Sequence, residues 1–327
     1  MLGTALLNAP VPFWSMAGLV VPPAPNAWSL LTGWEFDPFV IVAAFAGAGY
    51  LLGVRRVHER GRRWPAGRTA SFLAGVVCIA YAVSGGLAEY DRVLFSAHVA
   101  QHLLLGMVGP LLVVLGAPLT LALQASNRRL RTRLLRIVRS RPVAFLTHPV
   151  TAWFGFAGTL VVLYSTGLYE ASLRHDAVHA LLHAQFVLVG IVFMAHVVGV
   201  DPIGHALGFG ARALYVSVAL PFHGFLGVAL LSSNRVIAHS WYAHLHRSWG
   251  PSLLDDQRIG AGLLWVAGEL FGLVALLIVV AQWMRSDERA AARHDRREPL
   301  ERGQASPRQV DSSAWRSASV SSTPPKN

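Results

Sequence analysis

The sequence predicts an all-α, polytopic integral membrane protein of about seven transmembrane helices, with its N-terminus outside and its C-terminus cytoplasmic. Three observations carry that expectation. Of the 327 residues, 54% are hydrophobic and only 14% charged, and mean hydropathy is +0.46, whereas a soluble domain carries roughly 25% charged residues. Apolar stretches of roughly 20 residues, enough to cross a bilayer core, recur along the chain. Arginines fall in short blocks on alternate connections, which is how orientation signals look. The net charge of +11 therefore reads as topology and lipid contact, with no nucleic-acid partner implied, because such a groove wants aromatics interleaved in soluble segments. Cys78 is the sole cysteine, which excludes a disulfide framework or a CxxC site.

Residues 1–36 lack a basic start, and Pro10, Pro12, Pro22, Pro23 and Pro25 interrupt their apolar run. They read as an external, proline-broken segment and not as a signal peptide. Residues 37–284 form the membrane domain. Its first span runs from about Pro38 to Val54 and ends in an arginine block, and the second covers about Thr69 to Ala88. The third, from Phe95 to Pro118, carries His98 and His102 near one end and is bent by Pro110, Gly116 and Pro118. The Arg128–Arg141 segment after it has apolar residues at helical spacing and reads as a basic surface helix. The fourth span is about Thr147 to Leu168, the fifth about Ala177 to Val198, and the sixth about Arg212 to Leu231. The seventh runs from about Ile259 to Met284, and residues 285–327 read as a disordered cytoplasmic tail. Arginine-rich connections follow spans one, three and five, which sets the orientation.

With that orientation the histidines sort by depth. His98 and His102 share one face at the outer end of span three, because residues i and i+4 of a helix are neighbours. His175, His179 and His183 make a stripe at the outer start of span five, and His223 lies near mid-depth in span six. His239, His244 and His246 fall in an outer loop. His196, His205, His58, His148 and His294 fall on the cytoplasmic side. One i,i+4 pair alone serves equally well for helix–helix hydrogen bonding. Two sets at one depth on different spans point to a metal or haem site, since imidazole suits copper, zinc and iron and unpaired polar groups in a membrane are costly. Glu269, within span seven, either pairs with a histidine, relays protons or is a neutral, hydrogen-bonded structural acid. Asp201-Pro202 reads as a turn cap.

These residues resemble the seven-helix, CtaG-type assembly factors of caa3-type cytochrome c oxidases. The matching pieces are His98-Val-Ala-Gln-His102-Leu-Leu-Leu with Leu115-Gly-Ala-Pro118, and His183 with the stretch from Phe186 to Gly190. They continue with Gly199-Val-Asp201-Pro202, and Asp256-Gln-Arg-Ile-Gly260 with Trp265-Val-Ala-Gly-Glu269. The match spans roughly residues 35–284, and the chain departs from the pattern at Ser96-Ala97. The resemblance implies a protein of the bacterial plasma membrane that helps mature a haem–copper oxidase, with oxidase subunits and the lipid bilayer as partners. It implies copper handling and no catalytic turnover. On that reading His98, His102, His179 and His183 are the expected copper ligands, with His175 or His223 completing the site and Glu269 supporting a ligand from behind. Two rivals stay open. Paired histidines on facing helices also hold b-type haem, and His223 with Glu269 would suit a proton-coupled transporter.

Overall fold

The computed structural model describes residues 21–304, with side chains described to residue 292. The beginning of the N-terminal segment and the tail beyond Gln304 lie outside the described residues. A short helix α1 (Ala27–Thr32) is closed by a reciprocal cap, in which the Asn26 side chain accepts from Ser29 N at 2.8 Å and Ser29 Oγ accepts from Asn26 N at 3.0 Å. Spans one and two are α2 (Phe39–Glu59) and α3 (Ala66–Ser84). Span three is built in pieces: α4 (Phe95–Leu103), a π-helical turn over Leu104–Val108, α5 (Gly109–Leu115) and α6 (Pro118–Ala125). The basic segment forms α7 (Arg128–Val138), which buries no side chain, and α8 (Arg141–Leu146) follows. Span four is α9 (Pro149–Ser165) with α10 (Leu168–Arg174), a pair bent by 76° at the break. Next come α11 (Asp176–Val198), α12 (Phe209–Ser232), the short α13 (His239–His244) and α14 (Leu253–Gln304).

Among the described residues six helical stretches, Phe95–Ala125 counted as one, are long and apolar enough to cross a membrane, and the bent pair makes a seventh if its two helices form one span. Among the described residues the one β contact is a single antiparallel bridge between Trp34 and Gly85. Large apolar side chains such as Phe45, Leu188 and Phe225 point outward, as a lipid-facing surface requires, because only helices or closed barrels satisfy their own backbone in hydrocarbon. The protein is therefore a multi-pass membrane protein. The last helix differs from expectation: instead of ending near Met284 it continues to Gln304. The Ser-Asp-Glu-Arg-Ala-Ala-Ala-Arg run beyond Met284 is made mostly of strong helix formers, which carry the helix into the segment expected to be disordered. The compact unit ending at Val279 holds every candidate site residue described below.

The breaks in span three have separate causes. Pro110 removes an N–H and crowds the carbonyl four residues earlier, and the π-helical turn just before it absorbs the misfit. At Gly116-Ala117-Pro118 the chain stops and restarts, with Ala117 left-handed at φ 51° and Pro118 in the first turn of α6. The restart is capped by Asp201, which accepts from Leu119 N (3.1 Å), Thr120 N (2.7 Å) and the Thr120 hydroxyl (2.6 Å). Asp201 is thus a cap, but of a helix start 81 residues earlier in the chain and not of the local turn that its sequence context predicts. A second carboxylate does the same for the start of the span: Asp256 of α14 accepts from Phe95 N (2.6 Å) and the Ser96 hydroxyl (2.5 Å). Each satisfies N–H groups that the first turn of a helix leaves unpaired.

Two glycines let helices close on span three. A Cβ on Gly190 of α11 would lie 2.3 Å from the Gly106 carbonyl oxygen in the π-helical turn, and one on Gly260 of α14 would lie 2.5 Å from the Phe95 ring. Small residues permit such approach where packing, and not water exclusion, drives helix association. The Gly190 contact lies two turns beyond His183 and clamps α11 against the π-helical turn that directly follows the helix carrying His102.

Candidate metal centre

α4 and α11 meet along the faces predicted to carry histidine. His98, His102, His179 and His183 are all buried. Ring centroids are 4.0 Å apart for His98–His102 and 4.3 Å for His179–His183. Between helices they are 5.7 Å apart for His98–His179 and 6.3 Å for His102–His183. Tyr169 of α10 packs edge-on to His98 at 4.8 Å, and Phe186 stacks on His102 at 4.1 Å. The 76° bend in span four is what turns Tyr169 inward, with its hydroxyl hydrogen-bonded to that of Tyr242.

Two residues that the sequence reading passed over organise this cluster. Gln101 is fully buried on the same helix as the first pair and gives its amide N–H groups to Ala82 O (2.9 Å) and Asp91 Oδ2 (2.8 Å). Both partners are pure acceptors, which fixes the orientation of the amide. Its carbonyl Oε1 then faces His183 Nε2 at 3.1 Å, so that nitrogen carries the proton and donates. Asp91 Oδ2 likewise receives Nε2–H of His179 at 3.1 Å. In their neutral form both imidazoles of α11 are thereby held with Nδ1 as the bare lone pair, and both Nδ1 atoms are buried without a partner. A polar group that holds one ring nitrogen and frees the other is the usual support of a metal-ligating histidine.

On α4 neither ring nitrogen of His98 or His102 has a partner although all four atoms are buried, but both residues lie outside the one group, among the described residues, whose ligand atoms come within metal-binding reach of one another. An unsatisfied buried polar atom costs about 1–3 kcal/mol, so six of them on four neighbouring imidazoles form a place that a bound cation would stabilise. Asp91, His179 and His183 each offer one ligand atom within 4.8 Å of the other two. The donor set is imidazole-rich with one carboxylate, which suits copper, zinc or iron. Asp91 lies in the connection between α3 and α4. Burial pushes its carboxyl up, but the hydrogen bond from His179 and the nearby imidazoles pull it further down, to about 2, so it stays ionised.

The other predicted members stand apart. His175 is exposed, on the residue before α11 begins. His223 is buried on α12 and shares a cavity of about 20 Å³ with His102, lined also by Met107, Phe156 and Phe186. Glu269 of α14 occupies the notch left by Gly224, where a Cβ would meet Oε1 at 2.9 Å. It sits beside the His223 segment and outside the gap between α4 and α11. Gln101 carried a signal that went unweighed, as a polar residue one turn from His98 inside an apolar span. Asp91, among other charges in a short turn, carried none.

Fold and site together define a polytopic helical membrane protein with a buried histidine–carboxylate centre between two of its spans. The chain belongs to the cytochrome c oxidase caa3 assembly factor (Caa3_CtaG) family, whose model matches residues 48–286. It is similar to an uncharacterized protein of Mycobacterium leprae (strain TN), 35% identical over 287 residues, covering 85% of this chain and 44% of that protein. It is also similar to an uncharacterized protein of Mycobacterium tuberculosis, 32% identical over 287 residues, covering 85% of this chain and 43% of the relative. The chain thus spans less than half the length of the curated relatives it matches. No solved structure matches it.

Proposed function

We propose that this protein assists maturation of a bacterial haem–copper cytochrome c oxidase by holding copper as cargo at His98, His102, His179 and His183. Asp91 either ligates beside them or fixes His179 from behind, and His223 supplies a further imidazole on the far side of the His102 cavity. The protein would sit in the plasma membrane with this end of the bundle outward, as the arginine distribution favours. Its work is carriage and delivery, without catalytic turnover, and its partners are oxidase subunits.

The observation that supports this most is the set of six buried, unpartnered ring nitrogens on four clustered imidazoles. Edge-to-face packing of the four rings, closed by Tyr169 and Phe186, favours a bare ion over a planar haem between α4 and α11. The test is complementation in a strain lacking the gene, reading oxidase activity and oxidase copper content. Wild type should restore both. His98→Ala/His102→Ala should restore neither at low external copper and regain part at high copper. A double variant that restores the oxidase fully at low copper would refute the copper role.

A further inference from the structure

Beside the buried centre lies a chamber of about 610 Å³, ample for a hydrated ion. Its walls carry Glu35, Asp37, Glu89, Asp91 and Asp176 against one guanidinium, Arg92, and its floor is His179 and His183. Glu89 and Asp176 are exposed, while the floor residues are buried. The chamber therefore runs from solvent to the centre. The unpartnered Nδ1 atoms of His179 and His183 belong to the residues at its end, the latter only 3% exposed. This concentration of negative charge stands in a chain of net charge +11.

Its walls come from three places in the sequence. Glu35 and Asp37 precede α2, and Glu35 N donates to Ser84 O at 2.7 Å, which ties that strand of chain to the end of α3. Asp37 Oδ1 accepts from Phe39 N at 2.7 Å, and Glu89 and Asp91 lie in the turn before α4. Asp176 opens α11 and pairs with Arg92 at 2.6 Å across the rim. Carboxylates that line a concave, low-dielectric wall focus field and raise the local concentration of cations, with on-rates increased by about 10- to 1,000-fold and a steep dependence on salt.

We propose that this chamber is the loading port of the centre: a hydrated metal cation is drawn in by Glu35, Asp37 and Glu89 and passed to the bare Nδ1 atoms of His179 and His183. The port rests on the metal-centre reading above and adds the route and the charge class of what travels it. Glu35, Asp37 and Glu89 steer; they are not ligands in the loaded state. They set the rate of loading and leave the final affinity to the imidazoles.

The test is stopped-flow mixing of copper(II) with detergent-purified full-length protein, followed by quenching of tryptophan fluorescence, beside equilibrium copper binding. In Glu35→Gln/Asp37→Asn/Glu89→Gln, where asparagine keeps the oxygen that caps α2, the loading rate should fall on the order of ten-fold at low ionic strength. Stoichiometry should stay at the wild-type value, and the rate difference should shrink as salt is raised. Glu89→Lys, a single change at an exposed site, should slow loading in the same way and guards against misfolding of the triple variant. Wild type that binds copper while both variants load at the wild-type rate would overturn the port and leave the centre standing. Wild type that binds no copper would overturn the centre, and the port with it.

Discussion

The bundle gathers histidines at both ends, and the two gatherings have opposite characters. Between α4 and α11, four imidazoles are buried edge to face, and Asp91 and Gln101 fix the two on α11. At the arginine-rich end, His148 and His205 also lie ring to ring at 4.9 Å, but both are exposed. Their neighbour His196 donates Nε2–H to Thr147 O at 2.8 Å and serves that carbonyl. Residue type is therefore not what makes a site here. His196 is itself buried with Nδ1 unpartnered, so what separates the first gathering from the second is number: four such imidazoles lie together between α4 and α11, whereas the histidines beside His196 are exposed.

The sharpest way to break this comparison is to delete imidazoles at each end. His179→Ala/His183→Ala should weaken copper binding by more than about 100-fold, since loss of a mere outer support costs about 10–100-fold. His148→Ala/His205→Ala should leave it unchanged. Isothermal titration of copper into both variants reads the difference, and equal losses would erase the distinction drawn here. Asp91→Asn, next in size, removes the charge but keeps the shape; affinity should drop about 10–100-fold in the same titration.

The two capping carboxylates sharpen the comparison further. Asp256→Ala and Asp201→Ala each remove a helix cap within span three, and each should lower stability by about 1–2 kcal/mol in thermal unfolding in detergent. Only Asp256→Ala should also weaken copper binding, because it frees the start of the helix that carries His98. Matching copper affinities for the two variants would show that the cap does not position the site.

The smallest expected effect concerns acid. Asp91 is depressed in the folded protein, to about 2, against about 3.9 for an unfolded aspartate. A depressed carboxyl contributes stability that is complete above the unfolded value and is lost only as pH falls towards the folded one. Wild type and Asp91→Asn should therefore differ in melting temperature by the same margin at pH 8 and pH 5. A margin that narrows between those values would contradict the assignment.

Much of this was legible in the sequence because it is periodic. Twenty-residue apolar runs gave the spans, and spacing of four put His98 with His102 and His179 with His183 on shared faces. Asp201 next to Pro202 announced a turn cap, though not the distant helix start that it serves. What periodicity cannot carry is contact between distant segments: Asp256 capping α4 from the last span, or Asp91 reaching across to α11. The bend that brings in Tyr169 follows only Ser165-Thr166-Gly167, a weak breaker among apolar residues. The helix runs on past Met284 because Glu, Arg and Ala are strong helix formers even where the segment is charged.

The central claim, that the imidazoles of α4 and α11 form one copper centre, is tested most directly by metal content. Full-length protein purified in detergent and loaded with copper under reducing conditions should be assayed for copper, haem absorbance and, by X-ray absorption, the donor atoms around the metal. The account predicts stoichiometric copper in a nitrogen-dominated shell, lost in His98→Ala/His102→Ala. Wild type without copper, copper retained by the double variant, or a Soret band in place of copper would contradict it.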